Sequence, residues 1–239
     1  GMVVAATATA VVLRFVSAPY GRHSRGGWGP GISRRLGWVI MEAPPVLTVA
    51  ACFALGDRRT NLVAGVLLAL WMLHYLHRDL VYPFRMRPSK RLMPWTVVAL
   101  GVLFNLANGY LQGRWLFTLG PVRDASWLLD PRFVAGATLF LAGLALNLHS
   151  DEVLRRLGRS GSYGIPRGGA YRLVSCPNYL GEILEWTGWA VATWSLPGVV
   201  FALWTVANLA PRARSHHRWY LETFPDYPKQ RRALLPFLF

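Results

Sequence analysis

The chain has 239 residues, 53% hydrophobic and only 15% charged, with a formal net charge of +15 at pH 7. A soluble domain ordinarily carries about 25% charged residues, so an ordinary water-soluble globule is excluded, and the length suits one sizeable domain. Two cysteines, Cys52 and Cys176, do not make a disulfide framework.

A helix needs roughly 20 apolar residues to cross a hydrocarbon core. Taken in chain order, the windows that meet this predict spans at Val3–Tyr20, Leu36–Leu55, Asn61–Tyr82, Pro94–Gln112, Arg132–Ser150, Tyr179–Trp194 and Gly198–Ala210. The first window lacks a basic leader and a small-residue cleavage site, and reads as a retained span. Arg22–Gly31 is Gly-rich and reads as a loop. Ser195-Leu196-Pro197 leaves a very short connection between the last two windows.

The basic charge is distributed by side. Tyr20–Arg35, Phe84–Met93, Ser150–Pro177 and Pro211–Phe239 together hold 19 Lys/Arg, whereas the alternate loops Gly56–Thr60 and Gly113–Pro131 hold 4. That bias follows the positive-inside rule with the C-terminus in the cytosol and the N-terminus outside. Topology therefore accounts for the charge, and nucleic acid is not needed as a partner. The expected fold class is all-α, an integral membrane bundle of seven transmembrane helices.

Polar residues inside these windows are the functional signal, because intramembrane charge is costly and marks a site or pathway. The second window carries Glu42 ahead of Pro44-Pro45, which should kink or interrupt the helix. The third ends His74-Tyr75-Leu76-His77-Arg78-Asp79-Leu80-Val81-Tyr82, where His74, Arg78 and Tyr82 share one helical face. Tyr75, Asp79 and Tyr82 form an adjacent strip; a solvated helix end is the plainer alternative. Asn105 and Asn108 in the fourth window read as glue between helices.

The C-terminal half carries three stripes at four-residue spacing: Asn147, Asp151 and Arg155; Asn178, Glu182 and Trp186, with Glu185 in support; and Arg212, His216 and Tyr220. Arginine suits phosphate, carboxylates suit ribose hydroxyls, and aromatic rings suit stacking. The set fits a large polar ligand, with a network that merely stabilises helix ends as the alternative. Gly158–Gly169 contains neither GxGxxG nor a P-loop, so a dinucleotide would not be held by a Rossmann domain. His216-His217 has no accompanying HExxH or Cys/His cluster, and no metal site is expected.

With these residues assembled, the chain resembles the steroid 5-alpha-reductase family. The resemblance is carried by LNLHSD at Leu146–Asp151, YGIPRGG at Tyr163–Gly169, NYLGEILEWTGWAVATWSLP at Asn178–Pro197, RARSHHRWYLETFPDYP at Arg212–Pro228 and the closing KQRRALLPFLF. HYLHRDLVY at His74–Tyr82 and NGYLQG at Asn108–Gly113 add to it. It implies an NADPH-dependent reduction of a 3-oxo-Δ4-steroid, such as testosterone or progesterone, to its 5-alpha product. It also implies a single domain over 1–239, with substrate-side helices at 36–130 and a cofactor half at 131–239.

Carried across by motif, Glu42 and Tyr75 would hold the C3 ketone. Asn147, Asp151, Asn178, Glu182, Trp186, Arg212, His216 and Tyr220 would contact the cofactor, with Arg87 and Arg159 as further candidates. The mammalian enzymes have glutamine immediately before the glutamate, where this chain has Met41. A reductase of another conjugated lipid, a membrane methyltransferase using S-adenosylmethionine, and a channel or receptor remain as alternatives. The expected location is a bilayer, in contact with membrane lipid: a bacterial inner membrane, or the endoplasmic reticulum in a eukaryote.

Overall fold

The computed structural model describes residues 9, 29–86, 92–158 and 164–239. The predicted first span, most of the Gly-rich loop, Arg87 and Arg159 lie outside the described residues. What is described is mostly helical: α1 Arg34–Leu55, α2 Leu62–Leu76, a short α3 Tyr82–Arg85, α4 Trp95–Arg114, α5 Pro131–Leu157, α6 Pro177–Thr193 and α7 Leu196–Thr223. Two three-residue strands, β1 Gly31–Ser33 and β2 Leu92–Pro94, pair antiparallel, which the all-α expectation did not include. Three-residue runs carry too little periodicity to be told from loop.

Among the described residues two helices, α1 and α5, are long and apolar enough to cross a membrane. The chain divides into two compact units. The N-terminal unit is the described part of Ala18–Val134 with Thr193–Pro197; the C-terminal unit includes Ala135–Ala192 and Gly198–Phe239.

In the N-terminal unit, α1 starts at Ser33, whose hydroxyl accepts from the Leu36 amide at 3.3 Å. The helix runs without interruption through Pro44 and Pro45, where a kink or an interruption was expected. Pro45 has no N–H, so the Met41 carbonyl loses its partner one turn back. Asn105 from α4 supplies the missing donor, Nδ2 to Met41 O at 2.6 Å. Glycines of α4 admit α1 closely: a Cβ at Gly109 would stand 3.3 Å from Pro45 Cα, and one at Gly113 would stand 2.6 Å from Cys52 Cβ.

The third predicted span is not one regular helix. After α2 the chain widens into a π-turn, His77–Val81, closed by the Tyr82 amide on the His77 carbonyl. Pro83 explains it, since it cannot donate to the carbonyl four residues back and its ring crowds that position. A second π-turn, Trp115–Leu119, ends α4 with the Gly120 amide on the Trp115 carbonyl at 2.7 Å. Arg58 gathers the carbonyls left there, donating to Leu116 O at 2.7 Å, Thr118 O at 3.0 Å and Gly120 O. Burial lowers the Arg58 pKa.

In the C-terminal unit, α5 and α6 cross with glycine against backbone. Gly136 and Gly143 on α5, and Gly181 and Gly188 on α6, are each seven residues apart, a spacing that keeps them on one seam. A Cβ on any of the four would fall within 3 Å of the partner helix's backbone. Phe140, Trp186, Trp189 and Phe201 fill the core beside this seam, with Trp186 and Phe201 centroids 4.4 Å apart. The connection between α6 and α7 is two residues, Trp194 and Ser195, and Trp194 takes a left-handed φ of 44° to make it. Helix α7 continues past its apolar stretch to Thr223 and carries the third polar stripe.

Candidate active site

Glu42 and Tyr75, the residues expected at a ketone, both lie in the N-terminal unit. Trp71 Nε1 on α2 donates to the Pro45 carbonyl on α1 at 3.1 Å. Arg78 Nε lies 4.0 Å from Glu42 Oε1. As position rises along α2 it falls along α1, so the two run antiparallel. From the Trp71–Pro45 contact, Glu42 is one turn along in one helix and Tyr75 one turn along in the other, in the same direction. Both are buried. The Tyr75 ring packs at 4.6 Å from Trp71 and edge-on at 4.9 Å from His74. The Arg78 guanidinium sits over Trp38 at 4.8 Å and over Tyr82 at 4.9 Å.

Arg78 was visible in the sequence as one member of a stripe, but its pairing with Glu42 was not. Asp79 is buried in the π-turn, and Oδ1 has no hydrogen-bond partner among the described residues. Met41 precedes Glu42 on α1. Its side chain lies against Gly101 of α4, occupying the space a Cβ there would need.

The C-terminal unit brings two of the polar stripes together. Asn147 Nδ2 donates to the Asn178 carbonyl at 3.0 Å, and Asn178 Nδ2 donates to Asp151 Oδ1 at 3.1 Å. The glycine seam makes this approach, since Gly181 faces the Asn147 backbone. Arg155, on the same stripe, is turned to Glu152 with two donors at 2.7 and 2.6 Å. Glu182 is half-buried one turn beyond Asn178, and Trp186 is buried in the aromatic core.

On α7, Arg212 is half-buried, and His216 Nε2 lies 3.1 Å from the Tyr179 hydroxyl of α6. Tyr220 is buried and stacks on Tyr227 at 5.0 Å and 10°. Tyr171 is buried with its hydroxyl 3.4 Å from the Ser150 carbonyl, and burial, then Asp151, pushes its pKa well up. Tyr171, Tyr179 and Tyr227 were not singled out in the sequence. Each meets its partner across elements, and helical spacing reports only on a single element.

The family model described as 3-oxo-5-alpha-steroid 4-dehydrogenase matches residues 91–239. The chain belongs to that family. It is 43% identical over 247 residues to a protein named steroid 5-alpha-reductase of Arabidopsis thaliana, covering 100% of this chain and 94% of the relative. It is 43% identical to 3-oxo-5-alpha-steroid 4-dehydrogenase 1 of Bos taurus, covering 95% and 90%, and 41% identical to the Homo sapiens protein of that name, covering 95% and 88%. The family is one of oxidoreductases and is membrane-associated. The two long apolar helices suit that setting. The family model spans the whole C-terminal unit from Ala135 onward, while Glu42 and Tyr75 fall within the longer matches to whole relatives.

Proposed function

We propose that this chain reduces the C4–C5 double bond of a 3-oxo-Δ4-steroid to the 5-alpha product, with NADPH as reductant and testosterone or progesterone as suitable substrates. The observation that most supports this reading is the α1–α2 register. It gives one buried unit a carboxyl at Glu42 and a hydroxyl at Tyr75, set one turn from a shared contact.

An enone takes up hydride when its carbonyl oxygen is stabilised as negative charge develops there. Glu42, when it carries a proton, and the Tyr75 hydroxyl each donate to the C3 oxygen, the donation strengthens as the enolate forms, and the Arg78 guanidinium 4.0 Å from Glu42 adds positive charge beside it. NADPH, when bound, supplies the hydride that C5 accepts. The C4–C5 electrons move toward the C3 oxygen, and a proton added at C4 completes the product. Glu42 and Tyr75 are buried, which keeps water from the oxygen they would hold.

The C-terminal unit offers a donor set that fits NADPH. Arg212 suits a phosphate, Asp151 and Glu182 suit ribose hydroxyls, and Asn147, Asn178, His216 and Tyr220 supply polar and ring contacts. Trp186, Arg87 and Arg159 complete the proposed set. On this reading the protein is one reductase domain, multi-pass, with seven spans, its C-terminus in the cytosol and its cofactor site at the cytosolic ends of the helices. Its setting is a bacterial inner membrane, or the endoplasmic reticulum membrane in a eukaryote.

The test is NADPH oxidation by the protein purified in detergent, with testosterone or progesterone as acceptor. Turnover to the 5-alpha product is expected. No turnover with any 3-oxo-Δ4-steroid, alongside turnover of a polyprenal or enoyl thioester, would assign the chain to another lipid.

A further inference from the structure

Ser175, His217 and Tyr227 form a hydrogen-bonded line in the C-terminal unit that the roles above do not use. Ser175 Oγ lies 2.7 Å from His217 Nδ1 and 2.6 Å from the Tyr227 hydroxyl. A serine hydroxyl has one proton to give. With a neutral imidazole carrying its proton on Nε2 the line runs one way, Tyr227 donating to Ser175 and Ser175 donating to Nδ1; the Nδ1–H tautomer reverses it. Burial, then nearby Arg232, lowers the His217 pKa and favours that neutral ring.

The line joins the segment entering α6 to α7, 42 residues along the chain, and to the tail beyond it, 52 residues along. Backbone pairing holds the same stretches together. The Ser175 amide donates to Arg232 O at 2.8 Å, the Cys176 amide to Ala233 O at 3.1 Å, and the Arg232 amide to Leu173 O at 3.2 Å. Cys176, Ala213, Ala233 and Leu234 form a small buried cluster beside these bonds.

The line is connected to the proposed cofactor face in two ways. Tyr227 lies face to face with Tyr220, while the buried Arg231 guanidinium is 5.1 Å from the Tyr227 centroid. His216, the next residue along α7, reaches the other way to Tyr179 on α6. Neighbouring residues on a helix point about 100° apart. Helix α7 is therefore held on two sides, by His216 to Tyr179 of α6 and by His217 to Ser175 ahead of α6, which in turn bonds Tyr227 of the tail.

We propose that Ser175, His217 and Tyr227 are positioning residues for the cofactor: they fix the rotation of α7 and the ring plane of Tyr220, and so hold the Arg212–His216–Tyr220 face in its binding orientation. The inference rests on the reading of that face as the NADPH site. The three residues act through α7 and Tyr220. Their loss therefore raises the KM for NADPH, while kcat at saturating NADPH and the KM for steroid stay close to the parent values. A purely structural role would instead degrade both substrates' parameters together, in step with the fall in melting temperature.

The experiment compares Ser175→Ala, Tyr227→Phe, His217→Ala and His217→Asn in detergent, by NADPH titration, steroid turnover and melting temperature. Ser175→Ala and Tyr227→Phe each remove one hydroxyl and leave the fold the least disturbed. The expected result is NADPH binding weakened about three- to tenfold, the scale of one lost hydrogen bond. His217→Asn places an amide oxygen near Nδ1 to accept from Ser175, and should recover most of the affinity that His217→Ala loses.

Parent-like NADPH affinity in all the hydroxyl and alanine variants overturns the proposal, as does a His217→Asn variant no better than His217→Ala. A joint loss for NADPH and steroid with a lowered melting temperature also counts against it. Arg212→Ala separates the two levels. Unchanged NADPH affinity there defeats the cofactor reading itself, whereas weakened binding in Arg212→Ala beside unchanged binding in Ser175→Ala defeats only the positioning role.

Discussion

The Arg78 guanidinium stands 4.0 Å from the Glu42 carboxyl and lies over the rings of Trp38 and Tyr82. The two rings hold a planar cation beside the group proposed to meet the ketone. Arg78→Lys keeps the charge but loses the flat stacking surface. The expected outcome is a fall in kcat of about tenfold or more for Arg78→Lys and a larger fall for Arg78→Ala, scaled to the loss of an electrostatic contact at a reacting centre. NADPH affinity should stay near the parent value. Steady-state turnover with separate NADPH titration checks both.

Glu42 and Tyr75 are expected to act as a pair on the steroid oxygen. Glu42→Ala and Tyr75→Phe should each lower kcat by about 100-fold, the scale of one lost oxyanion donor, with NADPH binding intact. Because the two act on one oxygen, the double variant should fall by less than the product of the single losses. Normal turnover by Glu42→Ala would remove the carboxyl from the mechanism even if the substrate class held.

Asn105 satisfies a carbonyl that Pro45 leaves without its helical donor. Asn105→Leu fills similar space and offers no hydrogen. The Met41 carbonyl would then be left without that donor, at a cost of about 1–3 kcal/mol. A lower melting temperature in detergent is expected. Since Met41 precedes Glu42, a reduced kcat with unchanged NADPH affinity should accompany it. An Asn105→Leu variant as stable as the parent would show that water or another group takes over the carbonyl.

Much of this arrangement is legible from spacing within single helices. The windows read for the second, fourth, fifth and sixth spans fall on α1, α4, α5 and α6 to within a few residues, apart from the extension of α5 to Leu157. The stripe pair Asn147–Asp151 and Asn178 does meet, because each lies on one face of an α-helix. The π-turn at His77–Val81 was less visible: Pro83 sits after the stripe, and its effect falls on residues before it. The contacts Arg78–Glu42, Tyr179–His216 and Ser175–His217–Tyr227 join different elements, and no periodicity within one element encodes them. The same limit hid the role of Arg58, which counts as loop charge in the sequence but serves the carbonyls of a π-turn.

The glycine seam between α5 and α6 is expected to be intolerant of any side chain. A Cβ at Gly143 would fall within 3 Å of the Glu185 backbone, and one at Gly188 within 3 Å of the Phe140 backbone. Neither neighbour is a flexible side-chain end, so the helices must separate. Overpacking of this kind costs about 1–3 kcal/mol, occasionally more. Gly143→Ala should therefore lower the melting temperature. It should also weaken NADPH binding, because the Asn147–Asn178–Asp151 group lies one turn further along the same seam. Gly65→Ala in α2, where a Cβ meets nothing within 4 Å, serves as the control and should leave stability unchanged or raised.

His217 gives a pH dependence with a defined sign. Its folded pKa is below the ordinary histidine value of about 6.5, because of burial first and Arg232 second. The groups that meet it are Ser175, through Nδ1, and the Tyr227 ring, at 6.1 Å. The unfolded chain takes up a proton at this residue at higher pH than the folded chain does. Stability from neutral His217 is therefore complete above pH about 6.5, and is lost as pH falls from there through the folded pKa. His217→Asn has no titrating ring and should flatten this part of the melting-temperature profile between about pH 7 and pH 5 while leaving the alkaline side unchanged. Profiles of parent and variant with the same slope over that range would show that another group carries the acid sensitivity.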